Sequence, residues 1–203
     1  MSSHRLEAFS DGVLAIIITI MVLELRAPHE VNAAALRPLI PVFLSYALSF
    51  VNLGIYWNNH HHMLAVTERV NGTILWANLH LLFWLSLVPF VMAWMGENHF
   101  AAVPTAAYGI VLLLAAIAYW LLQRAIITYQ GTDSVLARAV GVDWKGKLSP
   151  ALYIVAIASA FAYAWIAWTL YAVVAIMWLI PDQRIERTIA ASVVGAKDDG
   201  SSP

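Results

Sequence analysis

Apolar residues come in long blocks in this chain, separated by short polar breaks. The first block predicts a helix over 6–25, and Pro28 with the polar stretch from Ala27 to Ala33 makes a loop after it. A second helix is predicted over 39–64; Pro38 and Pro41 fall near its first turn, where a missing amide breaks no intrahelical bond. The turn Glu68-Arg69-Val70-Asn71-Gly72 ends it, and a third helix follows over 73–95. Pro89 cannot donate to the carbonyl of Leu85, so this helix should bend there. Gly96 to His99 forms a short loop, and a fourth helix runs over 104–129 with Pro104 in its first turn.

A polar connector, Gln130 to Gly146, precedes a nearly unbroken apolar run over 148–180. As one helix that run would be about 50 Å long, against a hydrocarbon core of about 30 Å. Two helices over 148–161 and 164–180, turning near Phe161 to Ala164, fit the bilayer better. Pro181 stops the last of them, and 181–203 is expected to be a short cytosolic tail.

Composition makes these blocks membrane spans. Of the 203 residues 62% are hydrophobic and 11% charged, with a mean hydropathy of +0.74; soluble domains carry about a quarter charged residues. The expected fold class is therefore an all-α integral membrane protein, a single domain over 1–203 with six transmembrane helices. The 9 Trp and 8 Tyr suit headgroup interfaces. Glu7 and Asp11 near the start of the first block, and the lack of a small-x-small site around Leu23-Glu24-Leu25-Arg26, argue for a retained helix rather than a signal peptide.

Orientation follows from the basic residues. With the N-terminus inside, the inner segments hold Arg5, Arg69, Arg124, Arg138, Lys145, Lys147, Arg184, Arg187 and Lys197, leaving Arg26 and Arg37 of the 11 outside. Six spans with both ends cytosolic, in the cell membrane, is the consistent topology. A net charge of −1 and the absence of a basic run exclude nucleic acid as a partner. Cysteine is absent, which removes disulfides, thiolate metal sites and cysteine nucleophiles.

Ionisable and polar groups inside a bilayer are costly, so each is expected to be paired or functional. On the first helix, at about 100° per residue, Ile16, Thr19, Ile20 and Leu23 share one stripe with Gly12 below it, while Asp11 points nearly the opposite way. Spacing alone leaves that stripe open between ordinary helix packing and the lining of a narrow axis. Ser10 and Asp11 should face other helices and need partners such as Arg5, Asn78 or a histidine. His60, His61 and His62 point about 100° apart in succession, so they cannot chelate one metal ion without help from other segments. A hydrogen bond from one of them to Asp11 or Ser10 is expected instead, with protonation tuning opening. Asn78 and His80 read as interhelical hydrogen-bonding groups, and Ser45 and Asn52 as packing groups. Glu24, near the outer end of helix one, either concentrates cations or is a plain solvated carboxylate.

No nucleophile–base pair and no i, i+4 histidine pair with a carboxylate is present, so no enzyme activity and no cofactor is expected. A proton-coupled transporter relaying through Asp11 and the membrane histidines is the alternative to a passive channel. It would require matching broken helices, and Pro89 is the one clear mid-helix break.

The run Arg5-x-x-x-Phe9-Ser10-Asp11, followed by Gly-Val-x-Ala-Ile-x-x-Thr and Leu23-Glu24-Leu25, resembles the signature first helix of the transmembrane protein 175 family, the endosomal and lysosomal potassium channels and their prokaryotic relatives. The likeness continues in Trp57-Asn-Asn-His60-His61-His62, in Asn78 to Pro89-Phe90, and in Ile180-Pro181-Asp182-Gln183-Arg184-Ile185-Glu186-Arg187. A single six-helix repeat is similar to the prokaryotic members. The resemblance implies a homotetramer with the first helices around a central pore. It places Ile16 in the tightest ring, Leu23 in a second ring and Thr19 between them as a ring of hydroxyls, with Ile20 beside them. Arg5, Phe9, Ser10 and Asp11 would join helix one to its neighbours. The implied function is passive conduction with a modest preference for potassium over sodium, since no Thr-Val-Gly-Tyr-Gly filter exists in the chain. No metal is implied beyond permeating potassium, and no partner beyond lipid and other copies of the chain.

Overall fold

In a computed structural model of the chain, residues 3–141 and 143–179 are described; the expected tail over 181–203 lies outside them. Among the described residues the architecture is all-helical, without a β-strand. Four stretches are long and apolar enough to cross a membrane: Ser3–Leu23, Ala33–Ala65, Gly72–Glu97 and Ala102–Gln130.

Helix α1 is Ser3–Leu23. The segment after it enters a 3-10 turn, Ala33–Leu39, started by Asn32, whose Oδ1 accepts the amide of Ala35 at 3.0 Å. That turn leads straight into α2, Ile40–Ala65, with Pro41 in its first turn. Asn71 caps α3, Gly72–Ser86, by accepting the amide of Ile74 at 2.9 Å. The third helix, expected as one bent rod over 73–95, is two helices, for α3 ends at Ser86 and α4 is Val88–Glu97. The break sits where Pro89 leaves the carbonyl of Leu85 without its helical donor; the Leu87 amide turns to the carbonyls of Leu85 and Trp84 instead.

Helix α5, Ala102–Gln130, is the spine of the bundle and packs against α3, α4 and the last two helices. The connector expected over 130–146 is shorter and more ordered. It holds α6, Val135–Val140, capped by Ser134, and it ends where Asp143 caps α7, Trp144–Ala160, by accepting the Gly146 amide at 2.8 Å. A tight turn, in which the Tyr163 amide bonds the Ser159 carbonyl at 2.8 Å, returns the chain into α8, Ala164–Leu179.

Close approach of α5 and α8 rests on Gly109: a Cβ there would collide with the hydroxyl of Tyr171, which donates to the Thr105 carbonyl at 3.0 Å. Gly96 does the same for α4 and α2, since a Cβ would lie 2.7 Å from the Cα of Val42. Small residues at such crossings are how helices pack where lipid removes the hydrophobic drive between them. The core between the helices is filled by Leu14, Met21, Leu53, Leu81, Tyr108, Leu112 and Tyr171. Helix α1 packs mainly on α2, α3 and α4 and leaves one face, with Ile16, Ile20 and Leu23, uncovered.

Candidate functional site

The two faces of α1 are chemically distinct. Leu6, Ser10, Leu14, Ile17 and Met21, at spacings of three and four, are buried against the bundle. The opposite face leaves Phe9, Gly12, Ile16, Thr19, Ile20 and Leu23 exposed, Ile16 at 58% and Leu23 at 73% of full exposure. The stripe read from periodicity is thus not a seam inside the subunit. An added Cβ at Gly12 would meet nothing within 4 Å, so the ridge is narrow at that level. The hydroxyl of Thr19 donates to the Ile16 carbonyl of its own helix at 2.9 Å. Beside the ridge an open cleft of about 780 Å³ runs between α1 and α4, walled by Val13, Ile16, Ile17 and Ile20 on one side and Pro89, Phe90, Ala93 and Trp94 on the other. Glu24 and Glu97 sit at its far end with Arg26.

At the opposite end of α1 a hydrogen-bond chain threads three helices. His60 Nε2 lies 2.7 Å from Asn78 Oδ1, Asn78 Nδ2 donates to Ser10 Oγ at 2.9 Å, and Ser10 Oγ donates to the Leu6 carbonyl at 2.8 Å. All three side chains are buried. Because an amide oxygen accepts and cannot donate, His60 must carry a proton on Nε2, and its buried Nδ1 has no hydrogen-bond partner among the described residues.

This arrangement corrects the expected pairing of a histidine with Asp11 or Ser10. Asp11 Oδ1 accepts from Trp57 Nε1 at 3.0 Å, and His60 reaches Ser10 only through Asn78. His61 goes to Glu7, Nδ1 to Oε1, at 2.9 Å. Arg5 is exposed, with no hydrogen bond or ion pair among the described residues. His80 does not bridge helices either; its Nε2 accepts from Trp84 Nε1, one turn along α3, at 2.9 Å. Ser45 and Asn52 are buried and donate to the carbonyls of Pro41 and Leu48 on their own helix.

Glu7 and Trp57 are the members of this end to which sequence reading gave no pairing role. Each carried a signal: Glu7 lies four residues before Asp11 and Trp57 four before His61, so each shares a helix face with a residue already singled out.

Asn78 supplies a donor and an acceptor to a buried chain that water cannot reach. Asn78→Ala leaves both neighbours uncompensated and is expected to destabilise the subunit by about 1–3 kcal/mol. The measurement is the thermal unfolding midpoint in detergent, where an unchanged value would mean that the chain adds nothing to stability.

Comparison with known proteins gives a consistent picture. Residues 5–89 match the model of the family described as endosomal/lysosomal potassium channel TMEM175. A potassium channel of Chryseobacterium sp. is 53% identical over 189 residues, 93% of this chain and 98% of that protein. The crystal structure of a lysosomal potassium-selective channel TMEM175 homolog from Chamaesiphon minutus superposes with a TM-score of 0.76 at 30% identity, over 88% of this chain and 96% of that one. An endosomal/lysosomal proton channel TMEM175 of Danio rerio is 28% identical over 134 residues, and the match spans 25% of its length.

Proposed function

This chain belongs to the endosomal/lysosomal potassium channel TMEM175 family, and on that premise we propose that it is a passive, potassium-permeable cation channel. Its working form is a homotetramer of six-span subunits in the cell membrane, both termini cytosolic, with four copies of α1 around one pore. α7 and α8, at 17 and 16 residues, supply the fifth and sixth spans as a hairpin.

The observation that carries this reading is the uncovered face of α1. Gly12, Ile16, Thr19 and Leu23 form a ridge that the subunit itself does not bury, next to a cleft open enough to take part of a neighbouring copy. Closing four such ridges on one axis gives two apolar rings, Ile16 and Leu23, with Ile20 beside them and the hydroxyls of Thr19 in between. Apolar rings hold a pore shut by dewetting, and hydroxyl oxygens replace part of a permeating ion's hydration shell. Potassium is larger and more weakly hydrated than sodium and surrenders water at lower cost, so the ring favours it modestly. Glu24 near the outer end of α1 adds four carboxylates that concentrate cations at the entrance. Ser10 and Asp11, with His60, His61 and Asn78, serve to seat α1 on its neighbours, whereas Arg5 and Phe9 are exposed on the subunit and His80 lies outside that network.

Planar-bilayer recording of the purified protein is the direct test. The expected result is an ohmic potassium current with a smaller sodium current in the same membrane. A flux that required a proton gradient and saturated with substrate would replace this reading with a carrier relaying through Asp11 and the histidines.

A further inference from the structure

The consecutive histidines of α2 lack a shared direction, but the fold brings α1 to one of them. Glu7 and Asp11, four residues apart on α1, and His61 on α2 each offer a ligand atom, and these atoms all lie within 4.8 Å of one another. His61 Nδ1 is 2.9 Å from Glu7 Oε1, and His4 Nδ1 is 3.8 Å from Glu7 Oε2. His4, Glu7 and Asp11 follow the i, i+3, i+7 spacing of one helix face. One imidazole and two carboxylates, drawn from two helices, therefore converge on one point, and the exposed His4 lies beside Glu7 at its edge.

We propose that Glu7, Asp11 and His61 form a binding site for a divalent transition-metal ion of the zinc class, completed by His4 swinging in from beside Glu7, which ties the first turns of α1 to the last turns of α2. The donor chemistry selects the metal. Imidazole and carboxylate together suit zinc and its first-row neighbours, whereas calcium requires about six to eight oxygen ligands, more than this corner offers. Tetrahedral ligands at about 2.0–2.2 Å from zinc stand about 3.4 Å apart, so the separations of at most 4.8 Å among Glu7, Asp11 and His61 close onto an ion by small side-chain rotations, and His4 reaches it by a larger one.

Supporting contacts are already in place. Trp57 Nε1 holds Asp11 through one carboxylate oxygen, leaving the other for the ion, and the Trp57 ring stacks on His61 with centroids 6.0 Å apart and planes 26° apart. Such outer hydrogen-bond partners orient metal ligands. An ion also answers an electrostatic need: Glu7 is mostly shielded from solvent, and Asp11 stands one turn away with the same charge. One histidine offsets at most one of the two carboxylates, while a dication balances both.

The test uses cobalt(II) as a visible probe on the full-length protein in detergent, with no current measured. The expected result is one Co2+ per subunit with the intense visible absorption of a tetrahedral site, displaced by zinc. His61→Asn should abolish the band, and His4→Ala should weaken zinc binding at least tenfold. His4 is exposed and its substitution leaves the bundle intact, so it decides the matter even where His61→Asn fails to fold. The double variant His29→Ala, His99→Ala, at the other end of the molecule, should bind as the wild type does. Absence of the band, its persistence at full strength in His4→Ala, or its loss in the His29, His99 variant would overturn the proposal. Binding is read without conduction, so its failure and the failure of the channel reading are separate results.

Discussion

Replacing Ile16 by asparagine is expected to raise single-channel potassium conductance roughly tenfold, because about 1.4 kcal/mol removed from a barrier is a factor of ten in rate. An ion crossing an apolar ring loses hydration and gains nothing in return. In the proposed tetramer four amide oxygens at that level would restore ligands, and a net gain of about 1 kcal/mol for each hydrogen-bond-like contact is ample to supply the difference even when most is offset by crowding. Ile16 is 58% exposed on the isolated subunit, so the substitution removes no core contact there. Single-channel recording gives the conductance and cross-linking gives the subunit count. Unchanged conductance in an intact assembly would remove Ile16 from the barrier, and loss of assembly alone would make the ridge a packing seam.

Thr19→Ala is expected to act on selectivity instead. Removing the hydroxyl takes away the proposed oxygen ligand from each copy while keeping the backbone and the helix. A differential of about 1 kcal/mol between potassium and sodium corresponds to roughly a fivefold ratio, and most of that preference is expected to vanish in the alanine variant. Reversal potentials under bi-ionic conditions measure the ratio directly, with the subunit count as a control. If the ratio holds, discrimination arises elsewhere along the ridge.

Sequence pattern carried the helical architecture and the grouping of Ile16, Thr19 and Leu23 on one side of α1, because both follow from a period of 3.6 residues within one element. Which side is buried was not legible, since Leu14, Ile17 and Met21 are as apolar as the exposed stripe. Pro89 marked the interruption of the third helix for an equally local reason, the loss of one donor. The pairings at the N-terminal end of α1 were not legible. Whether Asp11 meets a histidine or Trp57 depends on how far α1 is rotated and slid against α2, and no pattern on either helix encodes that offset. Asn78, expected as one of several partners, proved to stand between Ser10 and His60. The order within the connector after α5 was hidden too, since α6 and the first turn of α7 are started by side-chain caps at Ser134 and Asp143 in a stretch with little apolar periodicity.

The backward bond from the Thr19 hydroxyl to the Ile16 carbonyl bears on the sign of the charge that can pass. With its proton committed to its own helix, each hydroxyl turns only lone pairs toward the proposed axis. A chloride ion arriving there would face four oxygens and no hydrogen, and recruiting the hydrogens would mean breaking four bonds of about 1 kcal/mol each. In the proposed pore a single rotamer would thus disfavour anions, without any fixed negative residue at the narrows.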